Sequence, residues 1–333
     1  MPGDAITAMA RKIVKANPDH PARGLARMLA KESNGAITIE QARCRIRTQL
    51  GTHGKKMRKD SKPAAPRAAR QAGVSYSMPQ SLSEPWTPHV FKVIGKIGVL
   101  SDVHIPYHSE TAVAAAVAHL KKEKLAGLIL NGDMCDFYTI SRHQKDPSKR
   151  DFSGELEACR NFIGWIRQSF PKIPIVMKAG NHEERWQAYI WQHAPELCKE
   201  RRMSLHSWLD LDRHDIQLVE DKRPIMAGKL PILHGHELPH GIAAPVNPAR
   251  GAFMRTLSTV LVGHSHRTSA HAEANMWHDE IFCWSQGCLC ELTPEYARIN
   301  RWNHGFSTVT VEKSGQFEMT NFRITAEGKV RTS

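Results

Sequence analysis

Five short motifs carry the side chains in this sequence that could bind metal ions. They are Ser-Asp-Val-His at 101–104, Asn-Gly-Asp-Met-Cys-Asp at 131–136, Gly-Asn-His-Glu at 180–183, His-Gly-His at 234–236 and Gly-His-Ser-His at 263–266. Their carboxylate, amide and imidazole donors suit two adjacent Mn, Fe, Zn or Co ions better than a structural zinc. Cys135 is the single thiol within these motifs. The sequence therefore predicts a metal centre if the chain brings the five motifs together.

Each motif ends an apolar run of strand-like composition. The runs cover residues 92–104, 127–136, 173–185, 229–237 and 259–266, and an Ala-rich helix is expected at 111–124. Polar residues at strand ends are where open α/β sheets place their ligands. One such motif alone would carry no information, but five in this order are very unlikely by chance. We therefore expect an α/β fold that gathers the motifs at one sheet edge.

The ordered set resembles the motifs of the calcineurin-like metallophosphoesterase superfamily over roughly residues 93–310. The resemblance implies a four-layer α/β/β/α sandwich with two metal ions at one edge of the sheets. Asp133 would bridge both ions, and the other implied ligands are Asp102, His104 and His266 for the first metal and Asn181, His234 and His264 for the second. His236 is expected beside the ligands rather than among them. Mn²⁺ is favoured, and Fe, Zn, Co or Ni would also suit these donors.

The resemblance also implies how the chemistry runs. Two bound cations would share a water molecule, lower its pKa and direct it in line at phosphorus. His182 matches the general acid that protonates the leaving oxygen. Asp136 matches the carboxylate that orients this histidine, and a simple turn residue is the alternative interpretation of Asp136.

Four further residues are candidates for contact with the substrate. Arg142 and Arg185 could each hold a phosphate through paired N–H donors, and surface arginines are the alternative interpretation. Tyr107 and His108 follow the first motif and could line the cleft, and a solvated loop is the alternative for them.

Departures from the phosphoprotein phosphatase pattern narrow the expected substrate. Ser101 precedes the first aspartate, Ile105-Pro106 follows the histidine, and Phe137-Tyr138 stands where those phosphatases have Arg-Gly. The missing arginine is one of a pair that holds a phosphomonoester dianion. The opening Ser-Asp-Val-His instead resembles the repair-exonuclease and phosphodiesterase branches.

Residues 185–230 are expected to form a mainly helical cap insertion that selects the substrate. The insertion carries Trp186, Trp191 and Trp208, which could stack on nucleic-acid bases, with packing in the core as the alternative. Further along the chain, 306–325 alternates like a β-hairpin that turns at Ser314-Gly315.

The charge of the chain is concentrated at its beginning. The 333 residues have a formal net charge of +13, of which residues 1–72 contribute +11, with 16 basic and five acidic side chains. We expect a basic helical module at 1–51, possibly a helix-turn-helix, a basic Pro/Ala/Ser-rich linker at 52–90, and the catalytic domain at 91–333. Such an arm could bind the phosphate backbone of nucleic acid. Candidate contacts are Arg43, Arg47, Lys55, Lys56, Arg58 and Lys59.

Composition limits the cellular setting. The seven cysteines are odd in number and widely spread, as expected of reduced thiols, and Cys283, Cys288 and Cys290 are interpreted as buried strand thiols rather than zinc ligands. The sequence shows neither a signal-peptide core at its start nor an apolar run long enough to cross a membrane. We therefore expect a cytoplasmic protein without a membrane partner.

Three functions fit these observations. The first is a metal-dependent phosphodiesterase or nuclease that acts on nucleic acid or nucleotides. The second is a small-substrate phosphodiesterase or phosphomonoesterase, in which the basic arm serves docking or oligomerisation. The third is a non-catalytic DNA-binding protein. An intact set of metal-binding residues argues against the third.

Overall fold

The computed structural model describes residues 3–50, 77–144, 146–149, 151–239 and 246–333. Two compact units, Met1–Ser83 and Glu84–Ser333, divide the chain. Most of the expected linker, with the candidate contacts Lys55, Lys56, Arg58 and Lys59, lies outside the described residues.

Residues 3–50 of the first unit form three helices, α1 (Gly3–Ala16), α2 (Ala22–Glu32) and α3 (Ile39–Leu50). A capping box begins α3, because the Thr38 N–H donates to Oε1 of Gln41 at 2.9 Å and the Gln41 N–H donates to the Thr38 hydroxyl at 3.3 Å. The apolar faces of the helices form a small core of Ile6, Ala10, Ile13, Leu25, Leu29, Ala42 and Ile46.

The second unit alternates helices and strands over most of its length. Its α-helices are α4 (Glu110–Lys122), α5 (Phe152–Ser169), α6 (Glu184–His193), α7 (Leu205–Trp208) and α8 (Pro248–Thr256). Short 3₁₀ turns lie at Tyr138–Ile140, Pro147–Lys149, Pro195–Leu197, Arg201–Met203, Asp212–His214 and Glu295–Ala297. The strands are β1 (His89–Val90), β2 (Gly95–Leu100), β3 (Gly127–Asn131), β4 (Ile175–Lys178), β5 (Ile216–Val219), β6 (Ile225–Ala227), β7 (Leu230–Leu233), β8 (Val260–Val262), β9 (Ser269–Ala274), β10 (Glu280–Ser285), β11 (Gly305–Val311), β12 (Phe317–Ile324) and β13 (Val330–Thr332).

A seven-stranded sheet has the order β13-β12-β11-β2-β3-β4-β5. Strands β2 to β5 are parallel, and Leu130 of β3 pairs with Leu100 of β2 and with Met177 of β4. Residues of β3 and β4 are buried on both faces, as is usual for parallel strands that are covered on each side. The expected hairpin is present as β11 and β12, which pair antiparallel from Gly305–Arg323 to Val311–Phe317.

A six-stranded sheet has the order β1-β6-β7-β8-β10-β9. Strands β7, β8 and β10 are parallel, and Leu233 of β7 pairs with Val262 of β8. The carboxyl ends of these strands therefore face the same way, as do those of β2 to β4 in the other sheet.

Three apolar clusters show how the layers stack. Helices α4 and α5 pack on the outer face of the seven-stranded sheet through residues such as Ala116 and Ile163. The two sheets face each other across a core that includes Val99 and Ile232, and α8 covers the other face of the six-stranded sheet through Ala249. The α/β/β/α sandwich is confirmed. None of the helices in the described ranges combines the length and the apolar character that crossing a bilayer requires.

The structure corrects two expectations about segment boundaries. Residues 185–230 are helical only as far as His214, because β5 then joins the seven-stranded sheet and β6 joins the other sheet. The short apolar run Ile216–Val219 is buried at both ends, which favours a strand even beside helices. Residues 89–90 were assigned to the linker, but they pair with β6 and belong to the folded unit.

Candidate metal centre

All seven implied metal ligands follow the carboxyl ends of parallel strands. Asp102 and His104 follow β2, and Asp133 follows β3. The remaining four are Asn181 after β4, His234 after β7, and His264 and His266 after β8. Parallel pairing places the carboxyl ends of the strands at one edge of each sheet. Because the two sheets pack face to face, the ligands from one sheet lie beside the ligands from the other.

Five of these residues have a left-handed backbone. The φ angles are 56° for Asp102, 55° for His104, 54° for Asp133, 61° for His264 and 54° for His266. Side-chain-bearing residues rarely adopt this conformation, which raises the free energy of the folded state, and such strain concentrates at functional sites. Each of these backbones turns sharply at a strand end and directs its side chain to the common edge.

Asp133 lies at the centre of the cluster and is 1% exposed. Its Oδ2 atom is 3.1 Å from Nε2 of His234 and 3.8 Å from Nε2 of both His104 and His182. Burial by itself would raise the pKa of Asp133, but the surrounding imidazoles outweigh burial and hold that pKa well below its ordinary value. A carboxylate in this position can face two sets of neutral ligands at once.

Asp102 occupies the neighbouring position and is fully buried. Its Oδ1 atom is 3.1 Å from Nε2 of His266 and 3.9 Å from Nε2 of His234. The backbone N–H of His264 donates to both carboxylate oxygens of Asp102, at 3.1 and 3.0 Å. Asp102 thus links the ends of β2, β7 and β8.

The donor atoms of the cluster fit divalent metal ions. One group consists of His104, Asp133 and His182, whose potential ligand atoms lie within 4.8 Å of one another. A second group consists of Asp133, His234 and His264, with the same spacing. Among the described residues, the buried Nε2 of His234 and Oδ1 of Asn181 have no hydrogen-bond partner. An unpaired buried polar atom raises the free energy of the folded state. A metal ion that accepts a lone pair from each of these two atoms would remove that cost.

The tautomer of His234 supports this assignment. Its Nδ1 atom lies 2.8 Å from the carbonyl oxygen of Asn131, to which it can only donate. In the neutral ring this contact leaves the lone pair on Nε2, which therefore does not donate to the Asp133 oxygen 3.1 Å away and faces the interior of the cluster. Histidine ligands of metals are usually fixed through the second ring nitrogen in this way.

Asp136 lies between two histidines. Its Oδ1 atom is 2.9 Å from Nδ1 of His104 and 3.1 Å from Nδ1 of His182, while the carbonyl oxygen of Asp136 is 2.8 Å from Nδ1 of His182. Burial opposes ionisation of Asp136, but the hydrogen bonds to His104 and His182 lower its pKa below the ordinary value. The sequence indicated contact with His182, and the contact with His104 is an additional finding.

The candidate substrate contacts differ in their placement. Arg185 donates to the carbonyl of Asp136 at 2.7 Å, and its Nη2 atom lies 3.0 Å from Nε2 of His182. Arg142 is exposed and lines a cavity of about 750 Å³ together with Arg185 and Asn181. Tyr107 lines a smaller cavity, whereas Nδ1 of His108 contacts the Pro106 carbonyl within its own loop.

The remaining candidates are not among the strand-end ligands. His236 contacts Oε1 of Glu184 through Nε2 at 3.0 Å, and its ring centroid is 5.3 Å from that of His234. In the first unit, Arg43 forms an ion pair of 2.6 Å with Glu40, while Arg47 is exposed.

Two buried carboxylates that the sequence interpretation did not assign hold the backbone of the motifs. Glu183 accepts hydrogen bonds from the N–H groups of Asp133, Met134, Cys135 and Gly180, at 2.8 to 3.0 Å. Glu237 accepts from the N–H groups of His234 and Gly235. Glu183 is the last residue of the Gly-Asn-His-Glu motif and Glu237 directly follows the His-Gly-His motif. This adjacency to a histidine is the signal that could have identified them.

Cys290 also lies at the edge of the cluster. The structure places Cys288 and Cys290 after the end of β10, so only Cys283 is a strand thiol. The Sγ atom of Cys290 is 3.7 Å from Nδ1 of His266. Cys290, His104 and His266 each place one potential metal-ligand atom within 4.8 Å of the others.

The tryptophans of the expected cap have different surroundings. Trp186 and Trp208 pack against each other with ring centroids 4.4 Å apart, and Trp186 is 5% exposed. Trp186 also stacks on Phe152, so the core interpretation holds for this pair. Trp191 is 59% exposed.

Known proteins share the sequence pattern of this region. Residues 95–279 match the calcineurin-like phosphoesterase family. The chain is 25% identical over 254 residues to the Gene 54 protein of Mycobacterium phage L5. This alignment covers 71% of this chain and 98% of the phage protein. It is 24% identical over 233 residues to the Gene 54 protein of Mycobacterium phage D29, covering 65% and 89%.

Two Vps29 proteins are among the solved structures that align with this chain. A single mutant of Vps29 from Entamoeba histolytica aligns with a TM-score of 0.37 and 10% identity, covering 72% of this chain and 98% of that chain. Vacuolar Protein Sorting 29 from Cryptosporidium parvum aligns with a TM-score of 0.39 and 12% identity, covering 72% and 95%.

Proposed function

Because this chain belongs to the calcineurin-like phosphoesterase family, we propose that it is a binuclear metal-dependent phosphodiesterase that cleaves nucleic acid or nucleotides. The observation that carries the proposal is the buried cluster around Asp133, in which Nε2 of His234 and Oδ1 of Asn181 lack hydrogen-bond partners among the described residues. This arrangement supports a role in metal-dependent hydrolysis rather than in binding alone.

Two divalent cations would be held by the seven strand-end residues. Asp133 would contact both ions; the first would take Asp102, His104 and His266, and the second Asn181, His234 and His264. Mn²⁺ is the proposed metal, since oxygen and imidazole donors suit it. When bound, such ions supply Lewis-acid activation of water and neutralise the charge of phosphoryl oxygens.

The protein's own side chains would handle the proton and the charge of the substrate. His182 would donate a proton to the leaving oxygen, and Asp136 would hold its ring through Nδ1 so that Nε2 faces the cleft. Arg185 Nη2 lies 3.0 Å from Nε2 of His182, and because a guanidinium only donates, this contact requires an unprotonated Nε2. When His182 carries the proton for the leaving oxygen, Arg185 would turn its N–H donors to a phosphoryl oxygen instead.

Preference for a nucleic-acid diester rests on two features outside the cluster. Phe137-Tyr138 replaces the arginine that would hold a phosphomonoester dianion, as the sequence comparison with phosphoprotein phosphatases indicates. The first 72 residues have a net charge of +11, which favours a polyanionic partner. Arg47 is exposed on α3, so its guanidinium is accessible to a phosphate.

One observation favours the second candidate, a small-substrate phosphoesterase. Two of the three α3 arginines are engaged within the first unit, since Arg43 pairs with Glu40 and Arg45 donates to the Gly3 carbonyl and the Thr7 hydroxyl. These contacts reduce the number of α3 cations that are available to nucleic acid.

A substrate panel with the full chain separates the two candidates. The panel contains single- and double-stranded DNA, RNA, cyclic nucleotides, and p-nitrophenyl mono- and diesters, each with Mn²⁺ and with excess EDTA. Cleavage of a nucleic acid that exceeds turnover of every small ester supports the proposal. Preference for a small ester would favour the second candidate, and metal-independent turnover would contradict both.

The role of the arm is tested by a variant in which Arg47, Lys55, Lys56, Arg58 and Lys59 are all changed to Gln. If these residues bind phosphates, the variant binds DNA more weakly, and the slope of log affinity against log salt falls by about 0.9 per lost contact for duplex DNA. An unchanged slope would show that the arm does not bind nucleic acid. Turnover of a p-nitrophenyl diester is the control and should not change, because this small ester has no polynucleotide chain for the arm to bind.

A further inference from the structure

A small cavity opens directly beside the metal cluster on the side of His104. Its volume is about 230 Å³, and three tyrosines, Tyr107, Tyr138 and Tyr296, contribute to its wall. His104 and Asp136, which belong to the candidate metal centre, also line it. We call this cavity the tyrosine pocket.

The three rings present apolar surface to this pocket. Tyr107 is 39% exposed and Tyr296 is 67% exposed, although both lie beside a buried catalytic cluster. The rings of Tyr107 and Tyr138 have centroids 5.9 Å apart and an interplanar angle of 69°. Exposed aromatic faces at the edge of a site are typical of surfaces that stack on planar ligands.

Backbone and side-chain contacts hold two of the rings in place. The Tyr138 N–H donates to the Glu155 carboxylate at 2.5 Å, and the Tyr138 hydroxyl accepts from the Asp146 N–H at 2.8 Å. On the opposite wall, Tyr296 packs against Trp302, whose ring centroid is 4.1 Å from that of His266. The wall formed by Tyr296 is therefore connected through Trp302 to the candidate ligand His266.

Charge in the pocket disfavours a second phosphate. Three carboxylates, Asp136, Glu291 and Glu295, line it against two cations. Of these cations, Lys149 forms an ion pair with Glu295 and Arg298 donates to the Thr293 carbonyl at 2.8 Å. Burial, with a smaller contribution from Glu155, raises the pKa of Tyr107 to about 12, so its phenol remains neutral at ordinary pH. A neutral planar ring with polar edges suits this wall better than an anion does.

We propose that the tyrosine pocket binds one nucleobase of the substrate, adjacent to the phosphodiester that is cleaved. This inference rests on the proposed function, because it assumes a nucleotide diester at the metal cluster. The pocket shares Asp136 with that cluster, so a base in the pocket belongs to a nucleotide next to the reacting phosphorus. Base stacking on aromatic side chains tolerates different bases, which predicts weak sequence preference.

The test compares two dinucleotide diesters that differ only in whether one nucleotide carries a base or is abasic. The wild-type protein with Mn²⁺ should cleave the base-containing diester with a KM about fivefold to a hundredfold lower than that of the abasic one. Tyr296→Ala should remove this difference, and Tyr296→Phe, which keeps the ring, should retain it. Because Tyr296 is exposed, neither substitution removes core packing, and thermal melting of both variants checks that they fold.

Two controls separate the possible failures. Trp277→Ala removes an aromatic side chain that is 74% exposed on the turn between β9 and β10, and should leave both KM values unchanged. Tyr189→Ala tests the neighbouring 750 Å³ cavity, and loss of base preference there but not in Tyr296→Ala would overturn the assignment. Equal cleavage of both diesters by the wild type would also overturn it while leaving the proposed function intact.

A binding measurement without turnover completes the test. A dinucleotide with 2-aminopurine as its base should lose fluorescence on binding in EDTA, because stacking quenches this base. Quenching should be lost in Tyr296→Ala and kept in Tyr296→Phe. Quenching that persists in the alanine variant would contradict the pocket assignment.

If the wild type cleaves neither diester, the proposed function fails, and the assignment fails with it.

Discussion

The ammonium group of Lys178, a side chain with no solvent exposure, lies 2.8 Å from a carboxylate oxygen of Glu237. Lys178 also donates to the carbonyl of Arg223 at 2.6 Å. Glu237 accepts from the N–H groups of His234 and Gly235, so the ion pair holds the turn that follows β7. Burial by itself would raise the pKa of Glu237, but Lys178 outweighs burial and lowers it to about 2.

Removing one member of this pair should destabilise the fold. Lys178→Met leaves the Glu237 carboxylate buried and unpaired, which costs about 3–5 kcal/mol of unfolding free energy. The double variant Lys178→Met/Glu237→Gln should be more stable than the single variant, because it leaves no isolated charge. Urea unfolding at pH 7 measures both. A single variant as stable as the wild type would show that the pair is not needed.

Glu183 should control metal affinity through the backbone of two motifs. Its two carboxylate oxygens accept hydrogen bonds from four N–H groups, and Glu183→Gln replaces one of those oxygens with an amide NH2 group that cannot accept. Changes to groups that support ligands typically lower metal affinity about 10–100-fold. Calorimetric titration with Mn²⁺ measures the effect, and Glu157→Gln, on the exposed face of α5, is the matched control. Equal affinities for both variants would contradict this role.

Asp133→Asn should abolish hydrolysis and reduce the number of bound metal ions. The amide has one neutral oxygen where the carboxylate faces three imidazoles. We expect kcat to fall by at least about a thousandfold, since charge stabilisation at such centres contributes several kcal/mol. Dialysis against EDTA should remove activity from the wild type, and added Mn²⁺ should restore it. Asp279→Asn, in the turn after β9, is the control. Full activity of Asp133→Asn would exclude the bridging role.

The role of His182 is tested by varying the leaving group. His182→Ala should lower kcat about 10²–10⁴-fold for a nucleotide diester, because the departing alkoxide needs a proton. For bis-p-nitrophenyl phosphate the loss should be less than about tenfold, because nitrophenolate leaves without protonation. Steady-state kinetics with both substrates makes the comparison. Equal losses would indicate that His182 positions other groups and donates no proton.

The edge-of-sheet cluster could be predicted because strand ends are local in sequence. Asp102, Asp133 and His264 each follow a short apolar run, and parallel pairing then fixes where those ends meet. The pairing of Lys178 with Glu237 could not be predicted, because it joins two different sheets and depends on their packing. For the same reason the proximity of Cys290 to His266 was missed, since it depends on the path of the chain beyond β10.

Strand β5 shows the limit of local periodicity. Ile216–Val219 is only four residues long and follows a helical stretch, so the sequence assigned it to a cap. Its place beside β4 is decided by hydrogen bonding to a strand edge that is formed elsewhere in the chain. The extra contact of Asp136 with His104 likewise appears only when the ends of β2 and β3 are adjacent.

Gly132 tests how tightly the cluster is packed. Its φ is 83°, and a Cβ atom there would lie 2.5 Å from Nδ1 of His234 and 3.0 Å from the Cα of Gly180. Gly132→Ala should therefore displace His234 and lower Mn²⁺ affinity by at least about tenfold, as expected when the support of a ligand is lost. The matched control is Gly315→Ala, at a φ of 80°, where the nearest heavy atom is Lys229 Cγ at 3.6 Å. This control carries only the backbone cost of about 1–2 kcal/mol and should bind Mn²⁺ normally. Equal Mn²⁺ affinities in the two variants would show that His234 is not displaced by the added methyl group.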